Sequence, residues 1–242
     1  MTEANSQNES PAFHIGVKAG TGIAIGYAPI AITYGLLAKT TGLTMGETLL
    51  LSMVVYAGAA QYIALNLLAL GTGAIEIILT TFIVNIRHFL LSASLNEKSR
   101  KEDSMFKKMI YAFGITDETF SVAAVKPGEL TAGYMFGLNV TAYGSWVLFS
   151  GIGHLFGASL PQILQESMSV ALYAMFIGLL VPTLKGSWKL FFLAAIAASF
   201  NCIFIMGDIL SNGWAIVASA LLSAILVELL STLREKAGVH HE

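Results

Sequence analysis

Two adjacent carboxylates, Asp117 and Glu118, interrupt an otherwise apolar segment, MIYAFGITDETFSVAAV at residues 109–125. Where water is scarce, a carboxylate can bind an ammonium group or exchange a proton. The same residues also suit a helix start, because Gly114 favours the end of one helix, Thr116 is a good N-cap, and the helix dipole stabilises negative charge in the first turn. The segment therefore predicts two half-length helices, interfacial or re-entrant. The carboxylates either cap the second helix or bind a substrate ammonium group or a coupling proton.

A second polar group lies in the apolar stretch IVNIRHF. Asn85 and His88 share one face of the predicted helix, whereas Arg87 points elsewhere. His88 could carry a proton near neutral pH or could hydrogen-bond a neighbouring helix. Arg87 lies close enough to the end of the segment to extend its long side chain to the aqueous interface. Because a charged group within lipid costs on the order of 3 kcal/mol, each such residue is a candidate site. The candidates for proton coupling are His88, Asp117 and Glu118.

Two further stretches could admit a substrate. VVYAGAAQYIA places Gln61 beside Gly58 and two alanines, so a ligand or another helix could approach the backbone closely. IGYAPIAITYG places Pro29 near the middle of a membrane segment, where we expect the helix to kink or break and to free backbone groups around residues 25–29. Plain helix packing is the alternative in both stretches. The candidate substrate-binding residues are Tyr27, Pro29, Gly58, Gln61, Asn85, Thr116, Asp117 and Glu118.

The elements that position these residues must lie in a lipid bilayer. The chain is 55% hydrophobic and 12% charged, with a mean hydropathy of +0.72, whereas an average soluble domain has about 25% charged residues. Its apolar runs are continuous and exceed the ~20 residues that span a bilayer, which favours helices over a barrel. The predicted class is an all-α, polytopic helical membrane protein with broken or re-entrant helices. The near balance of 13 basic and 15 acidic residues gives no field for binding nucleic acid.

We predict about seven transmembrane helices, with the segment 109–125 not spanning. The basic residues then fall on one side of the membrane, which the positive-inside rule makes cytoplasmic. This arrangement predicts an outer N-terminus with a polar tail at 1–14, and a cytoplasmic C-terminus with a tail at 232–242. The N-terminal tail lacks the features of a cleaved signal peptide. The predicted spans are 15–38, 47–70, 72–95, 130–157, 165–184, 188–208 and 212–231.

An internal repeat is predicted within a single transmembrane domain, 15–231. Spans one to three (15–95) and four to six (130–208) open with similar landmarks. Because three is odd, the two units would have opposite orientations, giving a 3+3 inverted repeat with 212–231 as an extra span. Loose similarity among glycine-rich helices is the alternative. The landmarks are Ala19-Gly20, Glu47 and Asn85 in the first unit, and Ala132-Gly133, Glu166 and Asn201 in the second.

Four of these stretches, GYAPIAITYGLLA, YAGAAQYIA, IVNIRHFLLSASL and FGITDETF, together resemble the AzlC family over most of residues 14–184. The resemblance implies a secondary exporter of branched-chain and related apolar amino acids in the bacterial cytoplasmic (inner) membrane. It also implies a small AzlD-type membrane subunit as a separate partner chain, and proton-motive force as the energy source. Residues 168–171, where family members often have LDFA, read MSVA here, so a carboxylate at that place is missing.

Other functional classes have less support. The sequence has no phosphate-binding Gly-x-x-x-x-Gly-Lys-Ser/Thr loop and no His-Glu-x-x-His metal motif, so an ATP-driven pump and a metalloprotease are disfavoured. Ser159 could be a nucleophile only with a basic partner, and the last three predicted spans contain no histidine. We therefore expect no enzymatic activity, cofactor or metal. A channel or a structural membrane scaffold stays open as the alternative.

Overall fold

The structure is a computed structural model that describes residues 2–163, 170, 177, 181, 184 and 187–238 of the chain. Within these residues it is almost entirely helical, with a single isolated β-bridge between Ser99 and Leu130. The helices are α1 (Thr2–Thr40), α2 (Met45–Val54), α3 (Gly58–Ala69), α4 (Ala74–Asn85), α5 (Arg87–Lys98), α6 (Met105–Phe113), α7 (Asp117–Val125), α8 (Ala132–Phe156), α9 (Trp188–Met206) and α10 (Asn212–Gly238).

Four stretches are long and apolar enough to cross a membrane: Pro11–Thr40, Ala74–Lys98, Trp188–Met206 and Asn212–Thr232. The predicted class, a polytopic helical membrane protein, is confirmed. Helix α8 has 25 residues, so at 1.5 Å per residue its ~38 Å also suffice. The predicted span 165–184 lies almost wholly outside the described residues. The chain divides into two compact units, one of residues 1–65 and 84–171 and the other of residues 66–83 and 172–242.

The first unit is built on α1 and α8, which run side by side in the same direction. Near their starts, a Cβ added to Gly16 would collide with the carbonyl group of Tyr134. Towards their ends, a Cβ added to Gly35 would collide with the carbonyl group of Ser150. Glycine at these positions lets the two backbones touch, as in other tightly packed membrane helices. The two helices are therefore parallel and in contact at both ends.

This parallel packing corrects the predicted topology. The first and fourth predicted spans should run in opposite directions, with the N-terminus and the basic segment 98–108 on opposite sides of the membrane. In the structure Leu130, just before α8, donates its N–H to the carbonyl of Lys98 at 2.9 Å. The basic segment therefore lies at the end of the pair where α1 begins, and its predicted separation from the N-terminus is wrong. The cause is the stretch 47–70, which was counted as a crossing.

Residues 45–69 form a helical hairpin instead of one span. Helix α2 runs backwards along α8, since the Thr48 hydroxyl lies 2.9 Å from Nδ1 of His154, near the end of α8, and Ser52 donates to Ser150 at 2.9 Å. The chain turns at Tyr56, whose φ of 40° is strained for a bulky residue. Helix α3 then returns past α2.

The hydrogen bond from Gln61 to Ser52 at 3.4 Å joins the two arms of this hairpin. Tyr34 of α1 also contacts both arms, through the Thr48 carbonyl at 3.4 Å and the Tyr62 ring at 6.0 Å between centroids. No proline marks the turn, so the sequence gives little warning of it. Contacts with α1 and α8 hold the break open.

Residues 105–125 form a second hairpin, which confirms the two half-length helices predicted for 109–125. Helix α6 ends at Gly114, and Thr116 caps α7 by accepting from the Thr119 N–H at 3.3 Å. The hairpin enters and leaves beside the start of α8. Asp103 accepts from the Ala132 N–H at 2.7 Å before α6, and Lys98 donates to the Ala124 carbonyl at 2.7 Å near the end of α7.

The tips of the two hairpins meet beside the middle of α8. The Tyr56 ring, at the tip of the first, packs edge-on against Tyr143 of α8 with centroids 4.8 Å apart. It also lies 6.3 Å from the ring of Phe113, at the tip of the second. Two helical breaks that enter from opposite ends of the α1–α8 pair are thus brought together, the arrangement in which membrane transporters tolerate irregular backbone.

The second unit contains α9 and most of α10 as an antiparallel pair. Lys189, at the start of α9, pairs with Glu228, towards the end of α10, at 2.7 Å. The Glu76 carboxylate of α4 accepts from the Trp214 N–H at 3.1 Å and from the Ser211 hydroxyl, and so caps the start of α10. A carboxylate at a helix N-terminus is a stabilising arrangement.

Candidate functional site

The meeting point of the hairpin tips holds most of the buried polar side chains of the first unit. Each comes from a different element: Tyr27 from α1, Gln61 from α3, Thr116 and Glu118 from the start of α7, and Trp146 from α8. Tyr27, Gln61 and Trp146 expose 5%, 1% and 2% of their surface. The elements that place them are the two helical breaks and the parallel helix pair.

Tyr27 joins α1 to the first turn of α7. Its hydroxyl donates to Oε2 of Glu118 at 2.6 Å and lies 2.8 Å from Oγ1 of Thr116. Because the Tyr27 proton is used on the carboxylate, the Thr116 hydroxyl donates to the Tyr27 oxygen. A hydrogen bond to a carboxylate is shorter and stronger than one between neutral groups. The opening carboxylates therefore do more than cap a helix, since one of them is anchored to α1.

The two carboxylates have different partners. Asp117 forms an ion pair with Arg87 of α5 at 2.8 Å, with side chains 24% and 40% exposed. Arg87 thus pairs with a carboxylate where a purely interfacial position was the alternative. Among the described residues no basic side chain forms an ion pair with Glu118. Glu118 is the carboxylate whose charge is balanced only by hydrogen bonding.

Gln61 and Gly58 both serve Trp146. The indole N–H donates to Oε1 of Gln61 at 2.9 Å, and a Cβ added to Gly58 would lie 2.9 Å from Cη2 of the indole ring. The Trp146 ring in turn packs edge-on against Tyr27 with centroids 5.2 Å apart. Gln61 therefore has its hydrogen bonds within the protein, and Gly58 makes room for the indole ring. These contacts match the packing alternative for the stretch.

The remaining predicted residues lie at or outside the edge of this cluster. Asn85 ends α4, and its Oδ1 is buried with no hydrogen-bond partner in the described part of the chain. His88 is half-buried, within electrostatic reach of Arg87 and Asp117. Pro29 lies on an exposed face of α1.

The expected break at Pro29 is also wrong, because α1 is one helix from Thr2 to Thr40. A proline removes one helix hydrogen bond, but a helix packed along its length against a neighbour continues through it. No helix N-terminus is therefore available around residues 26–30, where a substrate carboxylate was one possible ligand.

Three residues of the site were missed. Tyr56 and Trp146 sit in apolar stretches, and nothing in the sequence distinguishes them from core aromatics. Asn139 donates to the Tyr111 carbonyl at 2.7 Å, and a Cβ added to Gly114 would overlap it. A polar residue within an apolar helix is a recognisable feature, so Asn139 could have been found on that ground.

The arrangement suits recognition of a small cationic or zwitterionic molecule. It offers one carboxylate, tyrosine hydroxyls and aromatic faces, and aromatic faces attract ammonium groups. No group of three or more metal-ligating side chains occurs in the parts of the chain that were placed. The chemistry at hand is binding and proton exchange.

Comparison with known proteins agrees with this geometry. The family model described as "AzlC protein" matches residues 22–160, which include both hairpins. The chain is 29% identical to "Inner membrane protein YgaZ" of Escherichia coli over 78% of this chain and 80% of that protein. It is 30% identical to an uncharacterized membrane protein of Archaeoglobus fulgidus over 75% of this chain and 80% of that one.

A further relative is "Branched-chain amino acid transport protein AzlC" of Bacillus subtilis, 28% identical over 63% of this chain and 60% of that protein. No solved structure matches the chain. Since the family model covers more than half of the residues, including both breaks and the Tyr27–Glu118 pair, the chain belongs to the AzlC family of membrane proteins.

Proposed function

We propose that this protein is a secondary exporter of branched-chain and related apolar amino acids. The printed function of the Bacillus subtilis relative supports the amino-acid substrate. The site supports the same substrate class, since it combines a carboxylate with aromatic side chains at the place where two helical breaks meet. The observation that carries the proposal is the hydrogen bond of 2.6 Å from Tyr27 to Glu118, a buried carboxylate contact with no ion-pair partner.

In this proposal Glu118 receives the substrate ammonium group. Asp117 is less suited to that role, because Arg87 already balances its charge at 2.8 Å. A zwitterion entering a low-dielectric cavity needs a fixed negative charge for its ammonium group. Tyr27 holds the Glu118 carboxylate in place for that contact.

The same carboxylate supplies the coupling to the proton-motive force. A carboxylate can hold a proton or an ammonium group, but not both at once. If the binding cavity faces the two sides of the membrane in turn, entry of a proton releases the substrate outward, and exchange of the two is obligatory. Export by proton antiport follows from this competition.

We further propose that the basic segment 98–108 and both termini lie in the cytoplasm. The basic segment and the start of α1 lie at one end of the α1–α8 pair, and basic residues collect on the cytoplasmic side of bacterial membranes. Arg234 and Lys236, close to the C-terminus, fit the same side. The partner in this proposal is a small AzlD-type membrane subunit, which the family resemblance implies.

The test is efflux of labelled leucine, isoleucine, valine and methionine from cells that express the chain with and without the small subunit. We expect saturable efflux that requires both chains and falls when the proton gradient is collapsed. Efflux that rises without saturation would indicate a channel. Equal efflux in cells with and without the chain would leave a structural scaffold as the better description.

A further inference from the structure

The turn of the first hairpin carries unused hydrogen-bond donors. The first helical hydrogen bond of α3 runs from the Gln61 N–H to the Ala57 carbonyl at 2.9 Å. The N–H groups of Gly58, Ala59 and Ala60 precede it and have no partner within the helix. Ala59 and Ala60 are buried at 7% and 0% exposure. Unpaired backbone donors are costly at such depth unless something accepts from them.

Tyr56 provides a second, independent donor at the same turn. Only 3% of this residue is exposed, and its hydroxyl is buried with no hydrogen-bond partner among the described residues. A buried hydroxyl without a partner costs roughly 1–3 kcal/mol. The residue is also held at a positive φ of 40°. A protein that keeps both features at one position gains something from them elsewhere.

The Tyr56 hydroxyl faces the space next to Glu118. The carboxylate of Glu118 and the hydroxyl of Tyr27 both lie within electrostatic reach of it, and neither hydrogen-bonds to it. In an α-amino acid the ammonium and carboxylate groups are attached to the same carbon atom. A donor for the carboxylate must therefore lie a few ångströms from the group that binds the ammonium, and Tyr56 meets this condition.

The start of α7 cannot take that role. Its free donors are occupied by the cap, in which Thr116 accepts from Thr119 at 3.3 Å and donates its own N–H to the Thr119 hydroxyl at 2.8 Å. The two carboxylates of its first turn also repel an anion. Of the two helix starts at the meeting hairpin tips, one is negatively charged and the other offers only donors.

We infer that the Tyr56 hydroxyl and the first N–H groups of α3 bind the carboxylate of the substrate, while Glu118 binds its ammonium group. The inference rests on the proposed transport function and adds a second pole to its site. The two helical breaks then contribute opposite charges, and a zwitterion bridges the tips of the two hairpins. A helix N-terminus supplemented by a hydroxyl is a common way to bind an anion.

The inference is tested by competition binding of labelled leucine to the purified full chain in lipid nanodiscs. The competitors are leucine, leucinol, which lacks the carboxylate, and 4-methylpentanoate, which lacks the ammonium group. The test variant is Tyr56→Phe, which removes only the hydroxyl. The matched control is Tyr143→Phe in the same aromatic group, since the Tyr143 hydroxyl already donates to the Met53 carbonyl at 3.1 Å.

We expect Tyr56→Phe to weaken leucine and 4-methylpentanoate roughly tenfold, the loss expected for one hydrogen bond to a charged group. Leucinol should change less than about twofold, and the control should leave all three ratios unaltered. Glu118→Gln should give the complementary pattern, weakening leucine and leucinol and sparing 4-methylpentanoate. If a bound water satisfies Tyr56 instead, Tyr56→Phe will leave the ratio of leucine to leucinol unchanged, and the inference is overturned.

Failure of the proposed function gives a different result. If the nanodiscs bind another amino acid but no branched-chain one, the assay is repeated with that amino acid and its alcohol. A Tyr56→Phe effect on their ratio would then uphold the carboxylate site and refute the proposed substrate. Absence of binding by every amino acid and carboxylate tested would overturn both.

Discussion

Tyr27 of α1 donates its hydroxyl proton to Glu118, in the first turn of α7, at 2.6 Å. The two residues are 91 positions apart in the chain, so the bond connects a long membrane helix with the tip of a re-entrant hairpin. Tyr27→Phe removes the bond but keeps the ring against Trp146. We expect transport to fall about tenfold or more, because a hydrogen bond to a charged group contributes roughly 1.5–3 kcal/mol. Efflux at matched expression measures it, and unchanged efflux would show that the bond is dispensable.

The ion pair between Arg87 and Asp117 should behave differently from the Tyr27–Glu118 bond. We expect Asp117→Asn and Arg87→Gln each to reduce transport, because each leaves one charge without its partner. The double variant should recover part of the loss, since neither charge then remains. A double variant no better than the worse single one would mean that one of these residues acts on the substrate directly.

The close contact of α1 and α8 predicts which glycines tolerate substitution. Gly153→Val should destabilise the protein by about 1–3 kcal/mol, because the added atoms would overlap the backbone at Ile32. This corresponds to several degrees in melting temperature, at about 2–4 °C per kcal/mol for a chain of this size. Gly22→Val is the control, since nothing lies within 4 Å of its added Cβ. Thermal unfolding in detergent compares the two, and equal melting temperatures would contradict the packing described.

The position of the N-terminus is testable by cysteine labelling. In a background where the exposed Cys202 is replaced by serine, a cysteine at the exposed Lys101 and an N-terminal epitope should both be reached only from the cytoplasm. A cysteine at Thr40, at the other end of α1, should be reached only from outside. Labelling of the epitope and of position 101 from opposite sides would restore the seven-span arrangement.

The sequence predicts the local features of the fold better than its connections. The half-helices around Thr116 were predictable because glycine, a capping threonine and two carboxylates act within one turn. The break at Tyr56 was not, since a tyrosine at positive φ is held there by rings from other elements. The expected break at Pro29 failed for the opposite reason, because packing along α8 keeps α1 helical.

The same limit applies to the site. Sequence alone made Asp117 and Glu118 equivalent, and only their contacts with Arg87 and Tyr27 separate them. Gln61 looked like a ligand for substrate because a buried amide is unusual in an apolar helix. Its partner, the Trp146 indole, is 85 residues away in the chain. Polar residues in apolar helices can thus be found from sequence, whereas the division between packing and binding depends on long-range contacts.

The central claim is that Glu118 binds the substrate ammonium group. It is tested most directly by proton-driven leucine efflux from proteoliposomes containing wild type, Glu118→Gln or Glu102→Gln. Glu102 is an exposed carboxylate of the basic segment whose partner is Arg100 at 3.3 Å, so it is a matched control. We predict that Glu118→Gln loses most of the efflux at equal protein content and that Glu102→Gln retains it. Near-wild-type efflux through Glu118→Gln would contradict the account.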